Sequence, residues 1–425
     1  MQIRRPRILA DRDPVAALDK HASAVLSVMR KWDLGRIDDR ETVHFCGLIN
    51  HPDTGAVVFL PRSATTGDTE TDYRTAVLTM KALARFGAEV SKREFEGGGE
   101  NGNPGTLSVI KRLADDFRDH GLMEARKRIR GRNSGKPDWK RTIYHETATR
   151  NLRGQPIYAE IRTVRSSRST EMLLAQIQAE VMREIIAMHG WWLLGVASRR
   201  NELVGTSRPE FPRAIWARKL VALLPSLYSA RAIFLARYLG YYLDQTRASS
   251  DGSWVFGISD FHSVWEAILR DTLERSPVDG RSNWNVILPK PVYVEKAGQR
   301  SDAGSRGMRT DIILENPDEY VIVDAKYYAA VSVETTPGWP DIAKQLFYEL
   351  AVEEAVRSNG LVKRSIRNVF VFPGDPAKGN FSRVEFRNSD GTSGSGAFGR
   401  SISCLYVPVS EALRLYVGGY RGIAI

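Results

Sequence analysis

The chain has 425 residues, with 61 Lys+Arg against 50 Asp+Glu, a formal net charge of +11 and a pI near 9.6. At 42% hydrophobic and 26% charged residues it fits neither a disordered tail protein nor a coiled coil, and its length suits two or three domains of roughly 100 to 200 residues. No run approaches the ~18 uncharged apolar residues of a membrane span. The basic start from Met1 to Arg7 lacks the apolar stretch of a signal peptide, and Cys46 and Cys404 are too widely separated to suggest a disulfide framework or a zinc site. A cytoplasmic protein without a membrane partner is the expectation.

In chain order, the runs Thr42 to Ile49 and Ala56 to Pro61 are β-rich and separated by Pro52, Asp53 and Gly55, which predicts a hairpin. Val77, Leu78, Leu83 and Phe86 predict an amphipathic helix over 72–86. The Gly-, Asn- and Pro-rich stretch 96–105 reads as a linker. Together these define an N-terminal β-rich module over 1–100.

Beyond it, Thr106 can cap a helix carrying Val109, Ile110, Leu113 and Phe117, with Gly121 closing it. The charge surplus is concentrated here: Asn101 to Thr170 holds 16 Lys+Arg and 7 Asp+Glu. Arg126, Lys127, Arg128 and Arg130 form a basic loop, followed by Trp139, Lys140 and Arg141. Such clusters attract phosphate backbones by releasing condensed counterions, so these residues are the expected DNA contacts, although a solvated basic face would look the same. Trp139 can stack on a base or anchor the loop. Pro156 to Val164 alternates like a strand, and a helix, a basic loop and a strand in that order suit a winged-helix-like reader. Helical patterns over 171–194 and 231–243 complete a basic, mainly helical region over 101–250, with Trp191, Trp192, Tyr241 and Tyr242 as core.

The third region, 251–425, alternates a helix at 260–273, strands at 284–288, 308–314 and 320–327, a helix at 341–357 and a strand at 366–372. That order predicts an α/β domain. Its chemistry concentrates in Arg309-Thr310-Asp311 and Asp324-Ala325-Lys326. Strand alternation puts Asp324 and Lys326 on one side, and a hairpin would bring Asp311 towards Asp324. Two carboxylates suit Mg²⁺, a hard cation that activates water and neutralises a phosphodiester, and a lysine beside them can orient that water and stabilise developing charge. A plain salt bridge on a half-buried strand would use the same residues. Upstream, Glu266 sits beside the apolar stripe Phe261, Val264, Trp265 and Ile268 and can reach a metal or face solvent, whereas His262 reads as structural. Downstream, Asp341 can cap the next helix, on which Gln345 and Tyr348 lie one turn apart as supporting contacts.

The order Glu266, Asp311, Asp324-Ala325-Lys326, Gln345 resembles the PD-(D/E)xK nuclease superfamily, with Thr310 where the name places proline. Three segments resemble the LlaJI-type restriction endonucleases, relatives of the McrC subunit: Trp139-Lys140-Arg141-Thr142-Ile143, Phe261-His262-Ser263-Val264-Trp265-Glu266, and Thr310-Asp311-Ile312 with Asp324-Ala325-Lys326-Tyr327-Tyr328. The Cys46-Gly47-Leu48-Ile49 hairpin joins that set. The resemblance implies a mixed sheet flanked by helices, and Mg²⁺-dependent cleavage of double-stranded DNA in a bacterial restriction or phage-defence system, with Mn²⁺ as the alternative ion. It further implies a site of Glu266, Asp311, Asp324 and Lys326 with the metal on Asp311 and Asp324. A separate McrB-like AAA+ NTPase is the implied partner, and the sequence itself has no G-x-x-x-x-G-K-[ST] phosphate loop. A DNA methyltransferase is a further companion expected of such a system. The competing reading is a DNA-binding adaptor that stimulates the partner NTPase without cutting.

Overall fold

Strands buried on both faces read as continuous apolar runs, and such a strand is stable only where other elements cover both sides. Tyr320-Val321-Ile322-Val323 and Val369-Val371-Phe372 are of this kind, all at 1% exposure or less. A computed structural model of the chain describes residues 5–31, 36–38, 41–51, 55–96, 106–169, 172–193, 196–246, 253–274, 284–296, 298–302 and 308–425. The two runs form the centre of a five-stranded mixed sheet in the order Ile312–Glu315, Glu319–Ala325, Ser365–Pro373, Ile402–Val407, Arg383–Val384. The inner three strands are parallel and both edge pairs antiparallel. Parallel neighbours need a crossover, which the helix Trp339–Ser358 provides between the second and third strands. Its Tyr348, Ala351, Val352, Ala355 and Val356 pack on Ile313, Tyr320 and Ile322. The helix His262–Thr272 also meets the sheet, with Trp265 Nε1 donating to the Val371 carbonyl at 3.3 Å.

The N-terminal stretch builds a second sheet in the order Arg7–Ala10, Gly55–Leu60, Cys46–His51, Trp254–Ile258. The expected hairpin is its centre, while its fourth strand comes from two hundred residues later. Accordingly Arg4–Leu107 and Ser249–Ile425 make one compact unit, and Ser108–Ala248 makes another. The helix expected over 72–86 extends over Thr69–Glu96. Most of the Gly-rich linker, 97–105, lies outside the described residues.

Ser108–Ala248 contains most of the helix Thr106–His120, the helices Leu173–His189 and Ala230–Gln245, and a three-stranded antiparallel sheet of Ala125–Arg132, Arg162–Ser169 and Lys136–Pro137. The basic run is thus a strand rather than a loop: each residue from Ala125 to Arg132 has a ladder partner between Arg162 and Ser169. The strand expected over Pro156 to Val164 is divided, since Pro156–Tyr158 pairs with Ala148–Arg150 and the chain then breaks before Arg162. Trp191, Trp192 and Tyr242 are buried and Tyr241 is half-buried. In the other unit, the strand expected at 284–288 is instead a 3-10 turn, Trp284–Val286, which buries Trp284 against Tyr320. Among the described residues no helix is long and apolar enough to cross a membrane.

One close approach holds the N-terminal sheet together. Gly47 and Gly257 face each other across the ladder; a Cβ on Gly257 would lie 2.3 Å from the Cys46 carbonyl oxygen and 2.4 Å from the Phe45 ring. Gly47 adds a φ of +144°, which L side chains rarely adopt. Substituting Gly257→Ala should therefore destabilise the protein by about 2 kcal/mol, as overpacking against backbone does. Urea denaturation of the full chain measures this, and an unchanged midpoint would show that the sheet can yield there.

Candidate active site

The register Ile312↔Val323 and Ile313↔Ile322 puts Asp311 opposite Asp324 at the end of the apolar sheet. Asp311 Oδ2 accepts the Ala325 N–H at 3.0 Å, so one carboxylate is fixed by the backbone that carries the other. Thr310 is buried and clamped by Asn285. The Asn285 Oδ1 accepts its N–H at 2.9 Å and its hydroxyl at 3.1 Å, while Nδ2 donates to its carbonyl at 3.2 Å. This side-chain bracket holds the residue before Asp311 in place.

Asp324 and Lys326 lie on the same side, as strand alternation requires, with Lys326 Nζ 3.0 Å from Asp324 Oδ2. The same ammonium donates to Asp341 Oδ1 at 2.7 Å. Apart from that ion pair, the buried Asp324 Oδ2 has no hydrogen-bond donor among the described residues. Burial, against the pull of Lys326 and with the added repulsion of Asp311, pushes the Asp324 carboxyl up to about 6. For Lys326, burial works against the charge, but Asp324 and then Asp341 outweigh it and hold the ammonium above its ordinary range.

Asp341 does not cap its helix. Gly338 is the N-cap, Pro340 lies in the first turn, and Asp341 turns its carboxylate to Lys326. Gln345, fully buried, donates Nε2 to the Ile322 carbonyl at 3.0 Å, and among the described residues its Oε1 has no hydrogen-bond donor. Tyr348 is buried and its hydroxyl donates to the Arg309 carbonyl, two residues before Asp311. One helix face therefore touches the Asp324 strand, the Lys326 ammonium and the approach to Asp311. The C-terminal end of the Asp324 strand is held from the N-terminal sheet: the Arg62 N–H donates to Tyr327 Oη at 2.6 Å and Cys46 Sγ lies 3.7 Å from that oxygen.

Glu266 is half-buried on the helix His262–Thr272, and among the described residues no hydrogen bond or ion pair joins it to Asp311, Asp324 or Lys326. His262 is exposed and paired with Asp260. In the other unit, Arg126, Lys127 and Arg128 lie on the strand Ala125–Arg132, their side chains outside the described residues, and Arg130 is exposed. Trp139 is 52% exposed, 6.5 Å ring to ring from Tyr158, on the short helix Trp139–His145 with exposed Lys140 and half-buried Arg141. The capping role expected of Asp341 is not the one it has, and the bracket formed by Asn285 was not foreseen from the sequence. The i, i+3, i+4, i+7 spacing of Asp341, Lys344, Gln345 and Tyr348 was the available signal.

Asp311 and Asp324 offer oxygen donors only, and apart from the ion pair with Lys326, Asp324 Oδ2 has no hydrogen-bond donor among the described residues. Among the described residues there is no cluster of three or more His, Cys, Asp or Glu placed as a metal cage. That composition fits Mg²⁺, which takes one or two carboxylates and completes its shell with water and substrate phosphate, and does not fit zinc.

A mixed α/β unit with an acid, acid, lysine centre at a sheet end is the class these residues define. The chain belongs to the LlaJI restriction endonuclease family, whose pattern matches residues 45–390. It is also 25% identical over 178 residues to the type II restriction enzyme BsuMI component YdjA of Bacillus subtilis strain 168. That match covers 38% of this chain and 34% of the relative, so the chain spans about a third of that protein's length. The McrBC complex of Thermococcus gammatolerans, solved by cryo-electron microscopy, is a distant likeness at 12% identity and a TM-score of 0.30, covering 62% of this chain and 85% of that one.

The raised Asp324 carboxyl makes a stability prediction. An acid whose folded pKa lies above its unfolded one stabilises the fold below the unfolded value, and that contribution is lost as pH rises towards the folded value, here between 3.8 and about 6. The neutral variant Asp324→Asn should thus unfold at a higher temperature than wild type at pH 8, with the difference closing towards pH 4. A metal-free thermal melt series checks this, and a variant less stable at pH 8 would show the Lys326 pairing to dominate.

Proposed function

We propose that this chain is a Mg²⁺-dependent DNA endonuclease of a restriction system, with its five-stranded sheet serving as a PD-(D/E)xK-type nuclease core. The observation that carries the reading is the opposition of Asp311 and Asp324 with Lys326 held between Asp324 and Asp341. Asp311 and Asp324 would hold the metal, which supplies charge neutralisation at the phosphate and a more acidic water. Lys326 presents its ammonium from a fixed place, because Asp341 anchors it from the helix while Asp324 anchors it from the strand. Its part is to orient the attacking water and to meet negative charge as it develops on the phosphate oxygens. Gln345 keeps helix and strand in register through the Ile322 carbonyl, and Glu266 joins the site from its own helix once substrate and metal are present.

In the same reading, the sheet Ala125–Arg132, Arg162–Ser169 and Lys136–Pro137 is the wing-like element that engages DNA, with Arg126, Lys127, Arg128, Arg130, Lys140 and Arg141 on phosphates. A separate McrB-like AAA+ NTPase works with this chain. A second reading, that of an adaptor which stimulates the NTPase without cutting, has its own support. Ile143 and Tyr144 on the short helix, and Leu152 and Ile157 on the following hairpin, are 50% exposed or more, an apolar surface suited to a protein partner.

Cleavage of supercoiled plasmid with Mg²⁺ and a McrB-like NTPase distinguishes the two. Wild type is expected to cut, with Asp324→Ala and Lys326→Ala losing at least about a thousandfold in rate while binding DNA and stimulating NTP hydrolysis as wild type does. Undiminished cutting by either variant would remove these residues from the chemistry. NTPase stimulation by a wild type that never cuts would establish the adaptor.

A further inference from the structure

We propose that Lys344 is a second cationic residue of this centre and contacts a phosphate of the DNA strand being cut; the inference rests on the nuclease reading. Lys326 cannot take that contact freely. Its ammonium is nearly buried and already shared between Asp324 at 3.0 Å and Asp341 at 2.7 Å, and moving it away would leave two partly buried carboxylates without their cation. Held there, it can act on the reacting oxygens beside it but cannot move out to follow the strand. A phosphodiester brings one negative charge and gains more as the reaction proceeds, so a cation able to move towards it is needed from elsewhere.

Lys344 has the required position. It lies three residues after Asp341 and four before Tyr348, on the helix face that carries both, and next to Gln345, whose amide reaches the Ile322 carbonyl. Its Nζ stands 5.3 Å from the centre of the Tyr348 ring, and the Tyr348 hydroxyl donates to Arg309, at the approach to Asp311. Lys344 is exposed where Lys326 is buried, and it rests against the Tyr348 side chain rather than in an ion pair shared by two carboxylates. Lys344 shares its helix face with Asp341, the partner of the Lys326 ammonium, so it stands on the side of the helix turned to the carboxylate pair. Two lysines therefore divide the work: Lys326 is fixed at the carboxylates, and Lys344 is free to follow the substrate.

The test compares Lys344→Ala and Lys344→Arg with wild type in two measurements. In single-turnover plasmid cleavage with Mg²⁺ and the companion NTPase, Lys344→Ala should be slower by about a hundredfold. Lys344→Arg should recover to within about tenfold of wild type, since arginine keeps the charge and differs in geometry. In EDTA, the slope of log affinity for duplex DNA against log salt should fall by about 0.9 for Lys344→Ala and stay unchanged for Lys344→Arg, as loss of one phosphate contact requires. An unchanged slope with Lys344→Ala overturns the contact whatever the cleavage result. If Arg fails as completely as Ala while both lower the melting temperature, Lys344 serves only to pack on Tyr348. A wild type that binds but never cuts, with the slope still falling for Lys344→Ala, sinks the nuclease reading and leaves the phosphate contact standing.

Discussion

Two carboxylates brought together at the end of an apolar sheet repel one another, and the structure around Asp311 and Asp324 is organised by that repulsion. The hairpin register forces them to face each other, and the Ala325 N–H, the Lys326 ammonium and, through Lys326, Asp341 all act to contain the charge. Containment is incomplete, because Asp324 remains pushed up to about 6 and, apart from the ion pair with Lys326, its Oδ2 has no hydrogen-bond donor among the described residues. An acid pair left in this state is costly to the fold, and the proposed divalent cation would relieve that cost.

The rest of the unit keeps this arrangement rigid. Asn285 brackets Thr310, Gln345 ties the crossover helix to the Asp324 strand, and Tyr348 reaches the backbone ahead of Asp311. From the N-terminal sheet, the Arg62 N–H holds Tyr327, the residue that follows the lysine of the motif. That sheet in turn takes its fourth strand from Trp254–Ile258, just ahead of the helix bearing Glu266. The N-terminal sheet thereby braces the acid, acid, lysine centre as part of the same compact unit.

Much of this was legible in the sequence, and the misses share physical causes. The buried strands around Asp324 and their hairpin follow from apolar runs and a Pro-Asp turn, so the meeting of Asp311 with Asp324 could be anticipated. Pairing between distant segments could not, which is why the Trp254–Ile258 strand escaped notice. The basic run carries a charge signal but no strand alternation that the sequence alone makes plain; its strand form comes from long-range pairing with Arg162–Ser169. Trp284-Asn285-Val286 has the composition of a strand, yet burial of the indole and the bracket on Thr310 favour a turn. Asp341 looked like a cap because acids favour helix starts, and only the folded chain brings Lys326 within its reach.

The central claim is that Asp311 and Asp324 together bind one divalent cation. Titration of Mn²⁺ into the full chain, followed by the electron paramagnetic resonance signal of the free ion, tests it without requiring cleavage. One ion bound per chain by wild type, with binding lost in the folded double variant Asp311→Ala, Asp324→Ala, is the result expected. Undiminished Mn²⁺ binding by that variant would contradict the account.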